Sequence, residues 1–322
     1  MASLLSVENL QVQFQTKKGI NTAVDGVSFS VEKGRILGIV GESGCGKSVT
    51  SMSILQLLGS NARISGGSIK LDGKELIGLP EKEMCRIRGN DIAMIFQDPM
   101  TALNPTLTIG TQLMEPIMLH QNCGKKEAWT RAVDVLKRVG IAAPEKRMKE
   151  YPHQLSGGMR QRVMIAMAVS CEPRLLIADE PTTALDVTIQ AQILELMCEL
   201  REKMGTAIML ITHDMGVVAE TADDVLVLYA GKAVEYGGIE DIFERPKHPY
   251  TQGLLNSIPR LDEDVELLNT IEGTVPAPDA MPAGCRFAPR CPYGKDRCMK
   301  EKPGVYHAGN SLVSCFRYEG EK

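Results

Sequence analysis

Residues 41–48 read Gly-Glu-Ser-Gly-Cys-Gly-Lys-Ser and follow the apolar run Ile36–Val40. The stretch fits the pattern G-x-x-x-x-G-K-[ST], in which glycines let successive backbone N–H groups turn inward around an anion. The pattern requires a strand before the turn and a helix after it. We therefore predict a phosphate-binding loop, in which Lys47 contacts the β- and γ-phosphates of a nucleotide and Ser48 binds Mg²⁺. The predicted contact residues are Gly41, Glu42, Ser43, Gly44, Cys45, Gly46, Lys47, Ser48 and Val49.

The composition is that of an ordinary globular protein with room for one large domain and a smaller one. The 322 residues carry a net charge of −4, with 43% hydrophobic and 24% charged residues. This balance argues against a nucleic-acid binder that acts by neutralising phosphates. No apolar run approaches the roughly 18 residues of a membrane span, and the first residues lack the pattern of a secretory signal. We expect a cytosolic protein with no nucleic-acid partner.

Two carboxylates end a predicted buried strand further along the chain. The run Leu175–Glu180 is apolar up to Ala178 and then reads Asp179-Glu180. Carboxylates at the end of such a strand are costly unless they bind or react with something. Beside a phosphate-binding loop, Asp179 suits Mg²⁺ binding, and Glu180 suits orienting or deprotonating an attacking water. The alternative is an exposed acidic turn without chemistry, which the upstream phosphate loop disfavours.

Three further positions have both a structural and a functional interpretation. Gln97 follows the predicted strand Asp91–Phe96, where it either caps the strand or reaches a metal or water beside the γ-phosphate. His213 follows the predicted strand Ala207–Ile211 and is a candidate for contacting the γ-phosphate. Phe14 lies in a stretch with the period-2 pattern of strands, and its ring serves either the core or an adenine base. Periodicity alone does not separate these alternatives.

A second helix start suited to anions is predicted at residues 155–159, which read Leu-Ser-Gly-Gly-Met. The helix is predicted from Arg160 to Ser170, so that Ser156, Gly157 and Gly158 precede its first turn. The first N–H groups of a helix have no partner within the helix, and the positive end of the helix dipole lies there. Many helices begin in this way, so the feature alone is a weak indication of anion binding.

Four of the nine cysteines lie close together near the C-terminal end of the sequence. They are Cys285, Cys291, Cys298 and Cys315, and Pro292 directly follows the second of them. The spacing suggests a four-thiolate metal site but lacks the paired C-x₂-C knuckles typical of structural zinc. Iron–sulfur clusters are also held by four thiolates. An iron–sulfur cluster, zinc and unliganded thiols all remain open at this point.

In this order, these elements resemble the ATP-binding cassette (ABC) ATPases over residues 4–245. The resemblance identifies Gly41–Ser48 as the Walker A loop, Gln97 as the Q-loop glutamine, Leu155–Met159 as the signature, Leu175–Glu180 as Walker B, Ala184–Asp186 as the D-loop and His213 as the switch histidine. Phe14 falls where the family has an adenine-stacking aromatic residue. One position departs from the family, because its signature usually ends in Gln where this chain has Met159.

The resemblance implies an α/β fold with the P-loop NTPase core of ABC type. An N-terminal antiparallel β subdomain and a helical subdomain at about residues 98–172 complete an ATPase domain over residues 1–245. Residues 246–322 form a small cysteine-rich extension. In this family two cassettes pack head to tail, so that each ATP lies between the phosphate loop of one and Ser156, Gly157 and Gly158 of the other. Hydrolysis at Glu180 then lets the dimer open.

The segments Arg245–Leu255 and Phe96–Pro105 resemble those of cassettes that serve oligopeptide and dipeptide importers. This resemblance implies an ATPase subunit on the cytoplasmic face of the membrane, with two transmembrane permeases as partners. A second cassette, distinct or identical, and an extracytoplasmic peptide-binding protein complete the expected assembly. The resemblance also favours a [4Fe–4S] cluster over zinc at the four cysteines.

Two other functions compete with peptide import at the level of the sequence. Importers of nickel or glutathione share the same tail motif. The cassette sequence does not distinguish them from peptide importers, because other subunits bind the cargo. A soluble cassette ATPase that acts on ribosomes or DNA is the other alternative. The single cassette, the mild acidity and the lack of a long coiled-coil insertion argue against it. The length of the transported peptide does not follow from this chain.

Overall fold

The computed structural model describes residues 3–17, 19–182, 187–258, 270–277 and 280–320. The chain divides into two compact units. The first unit contains Glu32–Arg35 and Gly78–Ile211, and the second contains Ser3–Val31, Ile36–Ile77 and Thr212–Lys322.

Strands and helices alternate through the central part of the chain. The strands are β1 (Ser3–Thr16), β2 (Gly19–Glu32), β3 (Ile36–Val40), β4 (Ala62–Leu71), β5 (Lys74–Glu75), β6 (Ile92–Ile95), β7 (Leu175–Asp179), β8 (Ala207–Ile211), β9 (Asp224–Tyr229), β10 (Lys232–Gly238), β11 (Tyr306–Ala308) and β12 (Ser311–Val313). The helices are α1 (Lys47–Ile54), α2 (Glu81–Ile87), α3 (Pro99–Ala102), α4 (Ile109–Gln121), α5 (Lys125–Arg138), α6 (Pro144–Arg147), α7 (Gly157–Val169), α8 (Val187–Met204), α9 (Met215–Thr221), α10 (Ile239–Glu244), α11 (Pro249–Asn256) and α12 (Asp296–Lys300). None of the helices within the described ranges combines the length and the apolar content that crossing a bilayer demands.

The second unit begins with an antiparallel sheet of order β2-β1-β4-β5. In β1, Leu5 and Val7 are buried and lie opposite the buried residues Leu71 and Ile69 of β4. Alternate residues of a strand point to the same face, so these pairs build one apolar side of the sheet. The predicted N-terminal antiparallel β subdomain is confirmed.

The same unit contains the strand that leads into the phosphate loop. All five residues of β3 are buried, and β3 pairs in parallel with β9. A continuous apolar run is typical of a parallel strand that is covered on both faces. Gly38 allows α9 to pack closely, because a Cβ atom at this position would lie 2.8 Å from Val218 Cγ1 and 3.3 Å from Ala222 Cβ.

The C-terminal segment, residues 246–322, which is the extension of the sequence analysis, adds to this second unit through β10. Strand β12 pairs antiparallel with β10, and β11 pairs antiparallel with β12. Three buried rings connect the segment to β9. The centroid of the Tyr229 ring, at the end of β9, lies 4.7 Å from that of Tyr250 and 5.1 Å from that of Phe287. Aromatic pairs at such distances stabilise a core beyond the area that they bury. The boundary at residue 245 stays a prediction.

The first unit is built on the parallel strands β6, β7 and β8. Strands β7 and β8 are buried along their whole length, as their apolar sequences predict. Helix α4 packs against α5 and α7. In α5 the buried residues Ala128, Ala132 and Leu136 recur every four positions, which places them on one face of the helix. The expected α/β fold with a helical region is confirmed.

Candidate functional site

The predicted phosphate loop lies in the second unit, between β3 and α1. Gly41, Gly44 and Gly46 have φ angles of 151°, 77° and 102°, a backbone that residues with a Cβ atom rarely adopt. Gly46 is the N-cap of α1, so the helix begins at Lys47, and its first N–H groups are free of helical partners. The strand, turn and helix that the motif requires are all present.

Lys47 is held over the loop by backbone carbonyl groups. Its Nζ donates to the carbonyl oxygen of Gly41 at 2.6 Å and to that of Glu42 at 3.3 Å. The side chain is 6% exposed, so the ammonium group is already positioned beside the backbone cradle. Ser48 is the second residue of α1 and is exposed, and a hydroxyl oxygen is a ligand type that Mg²⁺ accepts.

Two further side chains of the loop, those of Cys45 and Glu42, are ionisable. Cys45 is buried, and burial raises the pKa of its thiol although Lys47 is close. The thiol is therefore protonated at neutral pH and adds no negative charge. Glu42 is then the acidic group among residues 41–48.

We expect Gly41→Ala to damage the loop more than Gly44→Ala. A Cβ atom at Gly41 would collide with the carbonyl oxygen of Leu228 and lie 2.8 Å from Cys45 Sγ, whereas Gly44 has open space around it. Both positions have positive φ, so backbone strain is common to the two variants. The collision at Gly41 adds about 1–3 kcal/mol of destabilisation. Thermal melting and nucleotide titration of both variants measure this difference, and equal losses would contradict it.

The predicted acidic residues lie in the first unit, at the end of β7. Asp179 is the last residue of the strand and is 4% exposed. Glu180 follows with φ of 48°, and its N–H donates to the carbonyl of Ile211 at 2.8 Å. Gln97 Nε2 donates to Glu180 Oε2 at 2.9 Å. The structure thus brings together two predicted catalytic residues, one of them in the strained backbone that is common at functional sites.

Helix α7 begins earlier than predicted, at Gly157 instead of Arg160. Ser156 is its N-cap, and the hydroxyl oxygen accepts the N–H of Met159 at 3.4 Å. A Cβ atom at Gly157 would meet no atom within 4 Å, so the start of the helix is open. Gly158 is half-buried and lies near Ile189. Met159 contributes its backbone to the cap, which any residue at this position can do.

The other residues predicted for the site are His213, Phe14 and the D-loop. His213 is exposed and lies two residues after the end of β8. Phe14 is half-buried in β1, opposite Ala62 of β4. The D-loop residues Ala184–Asp186 lie outside the described residues. The roles of His213 and Phe14 stay predictions.

Two residues of the C-terminal segment contact the phosphate loop, and the sequence analysis did not identify either. Tyr250 Oη accepts the backbone N–H of Glu42 at 2.9 Å, and Arg290 forms an ion pair with the Glu42 carboxylate at 3.0 Å. Both residues are more than 200 positions away from Glu42 in the chain. Local motifs and periodicity carry no signal for such pairs.

The four C-terminal cysteines line one cavity of about 80 Å³, together with His248 and Phe287. Burial raises the pKa of Cys285 to about 11, and it also raises the pKa values of Cys291 and Cys315. Four thiols around one space are the donor set of a thiolate metal site. However, no three His, Cys, Asp or Glu side chains of the described ranges are arranged as a metal site. A metal at the four cysteines therefore stays a prediction.

A glycine-rich phosphate loop, a Gln–Glu pair after a parallel strand and a serine-capped helix define a P-loop ATPase of the cassette class. Residues 24–183 match the family described as ABC transporter, and residues 234–298 match the family described as oligopeptide/dipeptide transporter, C-terminal region. The chain belongs to the ABC transporter family and is an ATPase. ATP and Mg²⁺ are the expected ligands of such an enzyme.

Transport proteins similar in sequence match nearly the whole chain. The oligopeptide transport ATP-binding protein AppD of Bacillus subtilis is 56% identical, over 100% of this chain and 98% of its own length. The dipeptide transport ATP-binding protein DppD of the same organism is 54% identical, over 98% of this chain and 95% of its own length. A dimeric, post-hydrolysis structure of an ATP-binding cassette bound to ADP and phosphate is 27% identical, with a TM-score of 0.66, over 73% of this chain and 98% of that one.

Proposed function

We infer that this chain is the ATP-hydrolysing subunit of an importer for dipeptides or oligopeptides. The observation that carries this proposal is the match of residues 234–298 to the C-terminal region of oligopeptide and dipeptide transporters. Relatives with dipeptide and with oligopeptide in their names are similarly close, at 54% and 56% identity. The proposal therefore covers both peptide lengths.

In the proposed reaction, water attacks the γ-phosphorus of ATP, and the bond to the β-phosphate oxygen breaks, so that ADP and phosphate form. Glu180 takes the proton of the water, and Gln97 orients the Glu180 carboxylate through the bond of 2.9 Å. Lys47 neutralises the β- and γ-phosphates. Ser48, Gln97 and Asp179 would hold Mg²⁺, which would supply charge neutralisation at the phosphate oxygens.

Further residues complete the site in the proposed dimer. Phe14 stacks on the adenine, and His213 contacts the γ-phosphate. Ser156, Gly157 and Gly158 of a second cassette donate hydrogen bonds to the γ-phosphate, because the N-terminus of a helix favours anions. Hydrolysis removes this shared contact and lets the dimer open. ATP therefore favours the closed dimer over the open one.

The expected partners are two transmembrane permeases and a second cassette, which is either a distinct subunit or another copy of this chain. An extracytoplasmic peptide-binding protein delivers the cargo, and the chain works on the cytoplasmic face of the membrane without spanning it. We place the boundary between the ATPase domain, residues 1–245, and the extension, residues 246–322, at the start of the importer-type tail.

Copurification from membranes tests the proposed assembly. A tagged chain extracted in mild detergent is expected to bring down two hydrophobic permeases and a second cassette. Recovery with ribosomes or DNA, and without permeases, would support a soluble cassette ATPase instead. A binding protein of the same assembly that selects nickel or glutathione would retain the cassette assignment and exclude peptides.

We also propose that the four cysteines hold a [4Fe–4S] cluster, with zinc as the alternative. The cavity that Cys285, Cys291, Cys298 and Cys315 line in common supports the proposal, because four thiolates hold such clusters. Binding would deprotonate thiols whose pKa values burial now raises. Few of the described residues of the extension are buried, so a cluster would contribute to its folding.

Anaerobic purification is expected to yield a brown protein with about four iron and four sulfide per chain. Cys298→Ser is expected to lose the colour and the iron. Cys85→Ser, which changes an exposed cysteine of α2, is the matched control and should keep both. A colourless protein with one zinc would exclude iron, and a chain without metal would exclude both.

A further inference from the structure

The second residue of the phosphate loop, Glu42, is held by two parts of the C-terminal segment. Nη1 of Arg290 lies 3.0 Å from each carboxylate oxygen of Glu42. On the backbone of the same residue, the N–H of Glu42 donates to Tyr250 Oη at 2.9 Å. Both the side chain and the main chain of Glu42 are therefore fixed by residues outside the ATPase motifs.

Arg290 is held in position by contacts other than its ion pair with Glu42. Its Nε donates to the carbonyl of Glu272 at 2.9 Å, and its Nη2 donates to the carbonyl of Ile271 at 3.2 Å. The guanidinium carbon lies 5.7 Å from the centre of the Tyr229 ring. The side chain is 6% exposed, whereas that of Glu42 is 28% exposed. Because Nε and Nη2 both donate to backbone carbonyl groups, the guanidinium group presents Nη1 to the carboxylate in one fixed orientation.

This burial distinguishes the pair from the surface ion pairs of the extension. The side chains of Arg297 and Glu319, for example, are 46% and 43% exposed. Exposed pairs of that kind contribute little because water and salt screen them. A charge-assisted bond to an arginine with little exposure is screened less than those pairs. Without Arg290, the Glu42 carboxylate, which is 28% exposed, would repel a bound phosphate, and salt would screen that repulsion.

The charge of Glu42 matters because of where it lies. Residues 41–48 are the predicted binding loop for a strongly negative triphosphate, and Glu42 places a carboxylate within that segment. A like charge close to a bound anion weakens binding. The ion pair with Arg290 offsets this charge and holds the carboxylate towards the C-terminal segment.

We propose that Arg290 is a positioning residue for ATP binding, which neutralises Glu42 and fixes its carboxylate on the side of the C-terminal segment. The extension thereby sets the affinity of the phosphate loop for ATP. This proposal rests on the chain being an ATPase and does not depend on the cargo that the transporter carries.

Equilibrium titration of the full-length chain with a fluorescent ATP analogue tests the proposal. Arg290→Gln removes the charge and keeps hydrogen-bond donors, and we expect about tenfold weaker binding at low salt. Arg290→Lys keeps the positive charge but lacks the planar set of guanidinium donors, and its loss of ATP affinity should be smaller. The matched control Arg297→Gln should bind as the unmodified chain does. In steady-state assays, KM for ATP should rise in Arg290→Gln while kcat changes little.

Two further measurements separate neutralisation from a general structural role. In a Glu42→Gln background, adding Arg290→Gln should weaken binding less than twofold, because no carboxylate is left to neutralise. The tenfold loss in the Glu42 background should also shrink between about 50 and 500 mM salt. Equal losses in both backgrounds, a loss independent of salt, or Arg290→Gln binding within twofold of the unmodified chain would overturn the proposal. If Arg290→Gln does not fold, Arg290→Lys is compared in the same two backgrounds, and an equal loss of affinity in both would overturn the proposal.

Discussion

Glu180→Gln is expected to abolish steady-state ATP hydrolysis while ATP binding persists. The amide has the shape of the carboxylate, and its oxygen can still accept the Gln97 bond that measures 2.9 Å in the structure. It cannot accept a proton from water, and the loss of a general base costs about 10²–10⁴-fold in rate. The backbone of Glu180 is held through its N–H bond to Ile211, so the fold should not change.

Because ATP then binds without being cleaved, the variant should accumulate as a closed dimer. Phosphate release measures the rate, and gel filtration with ATP and with ADP measures the dimer. Glu199→Gln, which changes an exposed glutamate paired with Lys203 on α8, is the matched control and should hydrolyse ATP normally. Turnover near that of the unmodified chain in Glu180→Gln would refute the assignment of the base.

Lys47→Ala is expected to weaken ATP binding by at least about a hundredfold, which corresponds to about 3 kcal/mol. Lys47 Nζ already lies beside the loop, bonded to the carbonyls of Gly41 and Glu42, so phosphate binding requires little reorganisation. An ammonium group next to two phosphates contributes strongly because the surroundings are partly shielded from water.

Isothermal titration of Lys47→Ala with ATP and Mg²⁺ measures this loss, and thermal melting shows whether the loop remains folded. Lys203→Ala removes an exposed lysine from α8 and serves as the control, with affinity expected to be unchanged. Retention of affinity within tenfold by Lys47→Ala would contradict the role of Lys47.

Much of the cassette core could be predicted from the sequence because its signals are local. The strand Ala207–Ile211 was predicted with the observed bounds, and β7 was predicted to within one residue, since buried parallel strands are short apolar runs. The helix after the phosphate loop was predicted to exist, but its end at Ile54 does not follow from the local sequence. The backbone of Gln56 has a positive φ of 50°, and its side chain bonds to Leu76, a tertiary contact that periodicity does not reveal.

The candidate site was predictable where residues belong to one motif and unpredictable where distant residues meet. The Walker motifs indicated Lys47 and Glu180 directly, and the structure adds the bond between Gln97 and Glu180. The contact between Arg290 and Glu42 joins residues that are 248 positions apart, and no pattern links them. The spacing of the four cysteines suggested their proximity, but the identity of a metal depends on chemistry outside the sequence.

Uptake into proteoliposomes tests the central claim of peptide import most directly. The chain is reconstituted with its permeases, the second cassette and the binding protein, ATP is placed on the cassette side, and a labelled peptide on the other. We predict that peptide accumulates only with hydrolysable ATP, that the loaded binding protein stimulates hydrolysis, and that Glu180→Gln abolishes uptake. Uptake that proceeds equally without ATP, or hydrolysis that no peptide-loaded binding protein stimulates, would contradict the account.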